Sequence, residues 1–145
     1  MMDQSEKRFE QDIESFLISE AGGYEQFSYL NPDGHRIHKY VYDKDKAIYL
    51  EVLIHFIMKT QPKQWERYVK YYGKDALLLT VLAYNVGHSR LLGYGKRPKS
   101  NLIKKIESGD RDIYEEYISY RCYKGKPIPS IERRRKIEFQ LLYIP

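Results

Sequence analysis

Apolar residues recur at Phe9, Ile13, Phe16 and Leu17, the spacing that lines one side of a helix, and Ser5 stands where an N-cap belongs. This pattern predicts a first helix that stops at Ala21-Gly22-Gly23, with Glu20 at its end. The pattern then changes. Tyr29-Leu30-Asn31-Pro32-Asp33-Gly34 is a turn signal, because Pro fixes φ and Gly accepts positive φ, and it leads into the aromatic and β-branched run Ile37 to Tyr42. A small hairpin over residues 29–42 is expected. Helical spacing returns over Asp43 to Lys59, with Leu50, Leu53, Ile54 and Ile57 on one side, and Pro62 suits the first position of a helix ending at Gly73.

From Asp75 to Asn85 the residues are almost all apolar, as expected of a helix surrounded by others, which makes this the predicted centre of the fold. Residues 87–98 hold three glycines and Pro98 and read as a loop. Ser100 then caps a short helix, Asn101 to Ser108, and Asp110 caps Arg111 to Tyr120. After a loop from Lys124 to Pro129, Ser130 begins a last helix with Ile131, Arg134, Glu138 and Leu141 at helical spacing. The fold class is therefore mainly α, with a small β-hairpin between the first two helices.

Composition narrows the function classes. At 145 residues, 42% hydrophobic and 31% charged, the chain suits one domain with a single core and excludes a coiled-coil rod, a collagen and a wholly disordered chain. The longest apolar stretch, Ala76 to Tyr84, is less than half of the ~20 residues a membrane span needs. The charged start, Met1 to Arg8, lacks the apolar run of an export signal, so a cytoplasmic location is the default. Cys122 has no partner for an internal disulfide and is expected as a free thiol in a monomer.

Charge is divided unevenly. Residues 1–72 carry 10 Lys and Arg against 12 Asp and Glu, and residues 73–145 carry 15 against 8, giving −2 and +7. The carboxyl half is the anion-seeking half. Fifteen tyrosines, each an apolar ring with a polar tip, point to a half-polar binding surface.

Three ordered blocks carry a resemblance. They are Leu82-Ala83-Tyr84-Asn85-Val86-Gly87, then Lys99-Ser100-Asn101-Leu102-Ile103-Lys104-Lys105-Ile106 with Ser108-Gly109-Asp110, then Pro129 to Glu138. Together they resemble the phage-type lysozymes of glycoside hydrolase family 24. The resemblance implies an α+β lysozyme-like fold whose helical lobe spans residues 74–145 and faces a sugar-binding cleft. Tyr84 and Asn85 would lie near that cleft, and Ser100 and Asn101 beside it. The implied partner is the glycan strand of peptidoglycan, with no cofactor and no metal.

Glycan hydrolysis needs a carboxylic acid to protonate the leaving oxygen and a second group to hold the attacking water. By the resemblance Glu20 takes the place of the acid, Asn31 stands at or near the position of the family's Asp, and Asp33 is a substitute. The family's Thr is absent; the strand offers His35, Ile37 and His38 instead. A neutral Asn31 can orient water but cannot act as a base. His35 and His38 read as surface residues rather than metal ligands, because i and i+3 on a strand point to opposite faces.

A second resemblance covers residues 5–73. Glu10 to Tyr24, followed by Leu53 to Trp65, resembles the extreme amino terminus of the restriction (R) subunit of type I restriction enzymes. The two resemblances meet at Tyr72-Gly73-Lys74-Asp75-Ala76, where the charge balance changes sign, as a fusion at that point would produce. Two functions of different class follow: a lysozyme-type hydrolase, or a non-catalytic protein that binds peptidoglycan or docks onto a restriction-modification complex. Nucleic acid is not an expected partner, since the stripe Arg133, Arg134 and Arg135 offers charge without a base-reading or aromatic-stacking motif. The same helix offers two other uses for that charge, a pairing with Glu138 or a contact with the anionic wall polymers that accompany peptidoglycan.

Overall fold

The computed structural model describes the backbone at residues 17–21, 24–41 and 44–145, and the side chains at 28–39 and 45–145. The protein is mainly helical with a small antiparallel sheet. It divides into two compact units, residues 1–80 and 81–145, a boundary seven positions beyond Gly73, where the charge balance changes.

In the first unit, β1 (Leu17–Ala21), β2 (Tyr24–Leu30) and β3 (Arg36–Val41) form one sheet in that order, both pairs antiparallel. The expected hairpin is therefore two strands of a three-stranded sheet. The predicted first helix is corrected over residues 17–21, which are strand, so Glu20 lies within β1 and not at a helix end. The remainder of that helix, residues 5–16, lies outside the described residues. The physical reason is ambiguity in the glycines. Gly22-Gly23 can stop a helix, but a Gly-Gly pair between two extended runs is equally a hairpin signal, and Ala21 pairs with Tyr24 on either side of it.

Two helices follow, α1 (Lys44–Thr60) and α2 (Pro62–Tyr72), with Pro62 opening the second as expected. Ala47, Leu50, Leu53, Ile54, Ile57 and Met58 of α1 and Trp65 and Tyr68 of α2 are buried with Tyr29. Gly73 ends α2 at φ 41 and starts a 3₁₀ turn to Asp75. The conformation there is one that glycine accepts without the cost a Cβ would bring.

From that turn the chain enters α3 (Ala76–Val86), which crosses the boundary between the units. Every residue from Ala76 to Ala83 is buried, so this is the most enclosed element, and exposure begins only at Tyr84. Leucine on all sides of a helix demands apolar neighbours all round. The sequence reading of a buried helix holds from Ala76 to Ala83, while Asp75 falls in the 3₁₀ turn and Tyr84 and Asn85 are exposed.

The second unit continues with α4 (His88–Leu92), α5 (Asn101–Glu107), α6 (Tyr114–Ile118), a two-stranded ribbon of β4 (Cys122–Tyr123) and β5 (Lys126–Pro127), and α7 (Pro129–Leu142). Leu91, Leu102, Ile103, Ile113, Tyr117, Ile118, Leu141 and Leu142 are buried in it. Ser100 caps α5 by accepting from Ile103 N at 3.2 Å, as its position suggested. Three other boundaries differ from expectation. The loop over residues 87–98 contains α4, the loop after Tyr123 is the turn of a ribbon, and α6 begins at Tyr114 rather than Arg111. Asp110 spends its carboxylate on an Asx turn, accepting from Asp112 N at 2.9 Å, so helical winding starts later.

Candidate functional site

The β2–β3 turn gathers the polar candidates of the first unit. Asn31 N donates to His35 O at 2.8 Å and Gly34 N donates to Asn31 O at 2.9 Å, closing the turn that Pro32 and Gly34 predicted. Asn31 itself is 1% exposed; its amide donates to Lys74 O at 3.4 Å, and its Oδ1 has no hydrogen-bond partner. The side chain thus ties the turn to the 3₁₀ segment rather than presenting its amide to solvent. Asp33 is exposed. Its Oδ1 accepts from His35 N at 3.1 Å and its Oδ2 lies 3.1 Å from His35 Nδ1. Partial burial pushes the Asp33 carboxyl up, but hydrogen bonds from Asn31 and His35 and the nearby imidazole outweigh it and hold the carboxyl below its usual value.

Glu20 is not gathered with them. Its register partner is Glu25, five residues before Leu30, so it lies about 16 Å along β2 from the start of the turn at ~3.3 Å per residue. Direct inversion needs the two carboxyls about 6.5–9.5 Å apart. The sheet therefore separates the acid candidate from Asn31 and Asp33 instead of bringing them together. His35 and His38 are exposed, as expected. Among the described residues no group of His, Cys, Asp and Glu could hold a metal ion.

In the second unit, Tyr84 is 42% exposed at the end of α3, and exposed Asn85 turns its amide back to Val81 O at 2.8 Å. Ser100 spends its hydroxyl on the α5 cap, whereas Asn101 faces an open groove of about 320 Å³ lined also by Leu102, Glu115, Glu116, Ser119 and Tyr120. Lys105 Nζ lies 2.7 Å from Glu116 Oε1, and that hydrogen bond holds the Glu116 carboxyl below its usual value. The groove walls are therefore an amide, a hydroxyl, a phenol and two carboxylates. No protein-family model, curated protein or solved structure matches the chain. Its chemistry must be argued from these side chains.

The sequence reading missed Glu115, Glu116, Ser119 and Tyr120. They lie in the block between Asp110 and Tyr120 that was read only as a capped helix, and the one signal available was their proximity in sequence to a predicted helix beside Asn101.

The Arg-rich helix divides. Arg133 and Arg134 are exposed, but Arg135 is 2% exposed and pairs with Glu138, which is 0% exposed. Tyr117 donates its hydroxyl to Glu138 Oε1 at 2.8 Å, and Arg135 Nε donates to Tyr120 O at 3.0 Å. Burial raises the Glu138 carboxyl above its usual value despite Arg135 and Tyr117 beside it. This cluster is internal scaffold, and of the arginine run only Arg135 pairs with Glu138.

Proposed function

We propose that the chain binds the glycan strands of peptidoglycan through its carboxyl-terminal unit, as a lysozyme-type helical lobe. The observation that carries this reading is the groove at Asn101, Ser119 and Tyr120, where an amide, a hydroxyl that itself donates to Glu116 O and a phenol share a cavity of about 320 Å³ with the carboxylates of Glu115 and Glu116. That volume is at the small end of ligand sites, which run from about 300 to 1,000 Å³. Saccharide hydroxyls and acetamido groups want such amide, hydroxyl and phenol partners, each good pairing contributing about 1 kcal/mol.

Cleavage is the second reading, in which Glu20 donates the proton to the glycosidic oxygen and Asp33 holds the water. It is favoured by the Asp33 carboxyl, exposed and held in its ionised form on the turn. The β1–β2 register favours binding over cleavage, since Glu20 and the turn lie far apart along the sheet.

Sedimentation with purified insoluble peptidoglycan, followed by release of soluble sugar from the same material, tests both readings. Binding that weakens about five-fold in Asn101→Ala or Ser119→Ala, with no sugar released, supports the first. Release that disappears in Glu20→Gln moves the protein to the hydrolases. No sedimentation and no release would overturn both.

A further inference from the structure

Two tight turns in the carboxyl-terminal unit repeat one composition. Tyr94-Gly95-Lys96-Arg97 is closed by Tyr94 N to Arg97 O at 3.1 Å and Arg97 N to Tyr94 O at 2.9 Å. Tyr123-Lys124-Gly125-Lys126 is closed by the β4–β5 pairing of Tyr123 with Lys126. Each presents an exposed tyrosine, 82% for Tyr94 and 60% for Tyr123, with two cations beside it. Among the described residues no carboxylate pairs with Lys96, Arg97, Lys124 or Lys126.

Both turns are fixed shapes rather than loose loops. Lys124 and Gly125 have φ 51 and 79, the two positive values of a type I′ turn. At the first turn, a Cβ on Gly93 would meet Arg97 O at 2.6 Å and Pro98 C at 2.9 Å, so glycine lets the two limbs close. The turns also spring from one place. The Arg90 guanidinium lies 5.7 Å over the Tyr120 ring, and these residues are four and three positions before Tyr94 and Tyr123.

Neither exposed ring belongs to the buried core, and Lys124 Nζ lies 5.4 Å over the Tyr123 ring, an ammonium held where a base would stack. An exposed ring with cations beside it suits a polymer that offers flat rings and phosphates in alternation. We propose that the two tyrosine turns form a binding surface for single-stranded nucleic acid, in which Tyr94 and Tyr123 stack on bases while Lys96, Arg97, Lys124 and Lys126 contact the backbone phosphates. The stripe through Arg133 to Arg135 is not this surface, because Arg135 is buried against Glu138. The proposal uses residues outside the groove and stands whether or not the glycan reading does.

The test is fluorescence anisotropy of the full chain with a labelled single-stranded oligothymidylate. Four phosphate contacts predict an affinity that falls about fifty-fold between 50 and 200 mM salt. Tyr94→Leu and Tyr123→Leu keep charge and fold, and each should weaken binding roughly five-fold or more. Arg133→Gln with Arg134→Gln should change it little. Tyrosine variants that bind as tightly as the wild type, or inorganic polyphosphate that competes as well as the oligonucleotide, would overturn the proposal and leave a charge surface without stacking. Loss of binding only in the Arg133 and Arg134 variant would overturn it as well.

Discussion

Two buried polar clusters among the described residues are built in opposite ways. At the β2–β3 turn the buried group is the neutral amide of Asn31, while the Asp33 carboxylate and the His35 ring stay at the exposed rim. Between α6 and α7 the charges themselves are inside, with Arg135 and Glu138 almost without solvent and Tyr117 closing the set. Each cluster leaves one oxygen unsatisfied, Asn31 Oδ1 in the first and Glu138 Oε2 in the second. A buried neutral acceptor costs a kcal/mol or so when unpaired, whereas a buried ion is tolerable only while its counter-ion remains. The turn can therefore tolerate a neutral replacement of Asn31 but not a charged one, whereas the α6–α7 cluster cannot lose either ion.

The largest effect that would break this comparison comes from Arg135→Met. It strands the Glu138 carboxylate and should lower unfolding free energy by about 3–5 kcal/mol in denaturant titration at pH 7. Because a raised folded pKa favours the protonated form, the loss should shrink as pH falls through the Glu138 value. A loss under about 1 kcal/mol would mean that the pair is dispensable.

Asn31→Asp should come next, at about 3 kcal/mol. It puts a charge where 1% of the side chain is exposed and close to Asp33. Burial raises the folded pKa of the new carboxyl, so its cost should be absent below the unfolded value of about 3.9 and grow as pH rises through the folded value. This makes Asn31→Asp a test of burial as much as of catalysis. Gly93→Ala is expected to cost about 1–3 kcal/mol, since the added Cβ meets backbone at 2.6 Å and φ is 78. Thermal melts of the two glycine-dependent turns would show it.

The smallest effect is expected from Asp33→Asn. The pairing with His35 is screened by solvent, so the change at pH 7 should stay within about 0.5 kcal/mol. The lowered Asp33 pKa gives stability that is present above the unfolded value of about 3.9 and is lost as pH falls through the folded value. The variant should therefore flatten the acid limb of the stability curve, and an unchanged limb would remove Asp33 from the turn's energetics.

The sequence was most legible where a residue's chemistry leaves one option. Pro62, Gly73 and Ser100 placed helix ends correctly, and the leucine-rich run from Ala76 to Ala83 announced its own burial. It was least legible where one signal serves two structures. Gly22-Gly23 suits a helix stop or a hairpin, and only the pairing of Leu17–Ala21 with Tyr24–Ser28 decides between them. The candidate site shows the same division. The turn around Asn31 and Asp33 was readable from Pro and Gly, but the burial of Asn31 depends on a contact with Lys74, 43 positions away. The groove was half readable, through Asn101, because Ser119 and Tyr120 reach it only by the packing of α6 against α5.

Cys122 is exposed on β4, immediately before Tyr123. A thiol-reactive dye attached there needs no engineered mutation and labels a single defined position, since the chain holds one cysteine. Its emission would respond to whatever approaches the second tyrosine turn, so the native sequence already carries a reporter for each ligand tested above.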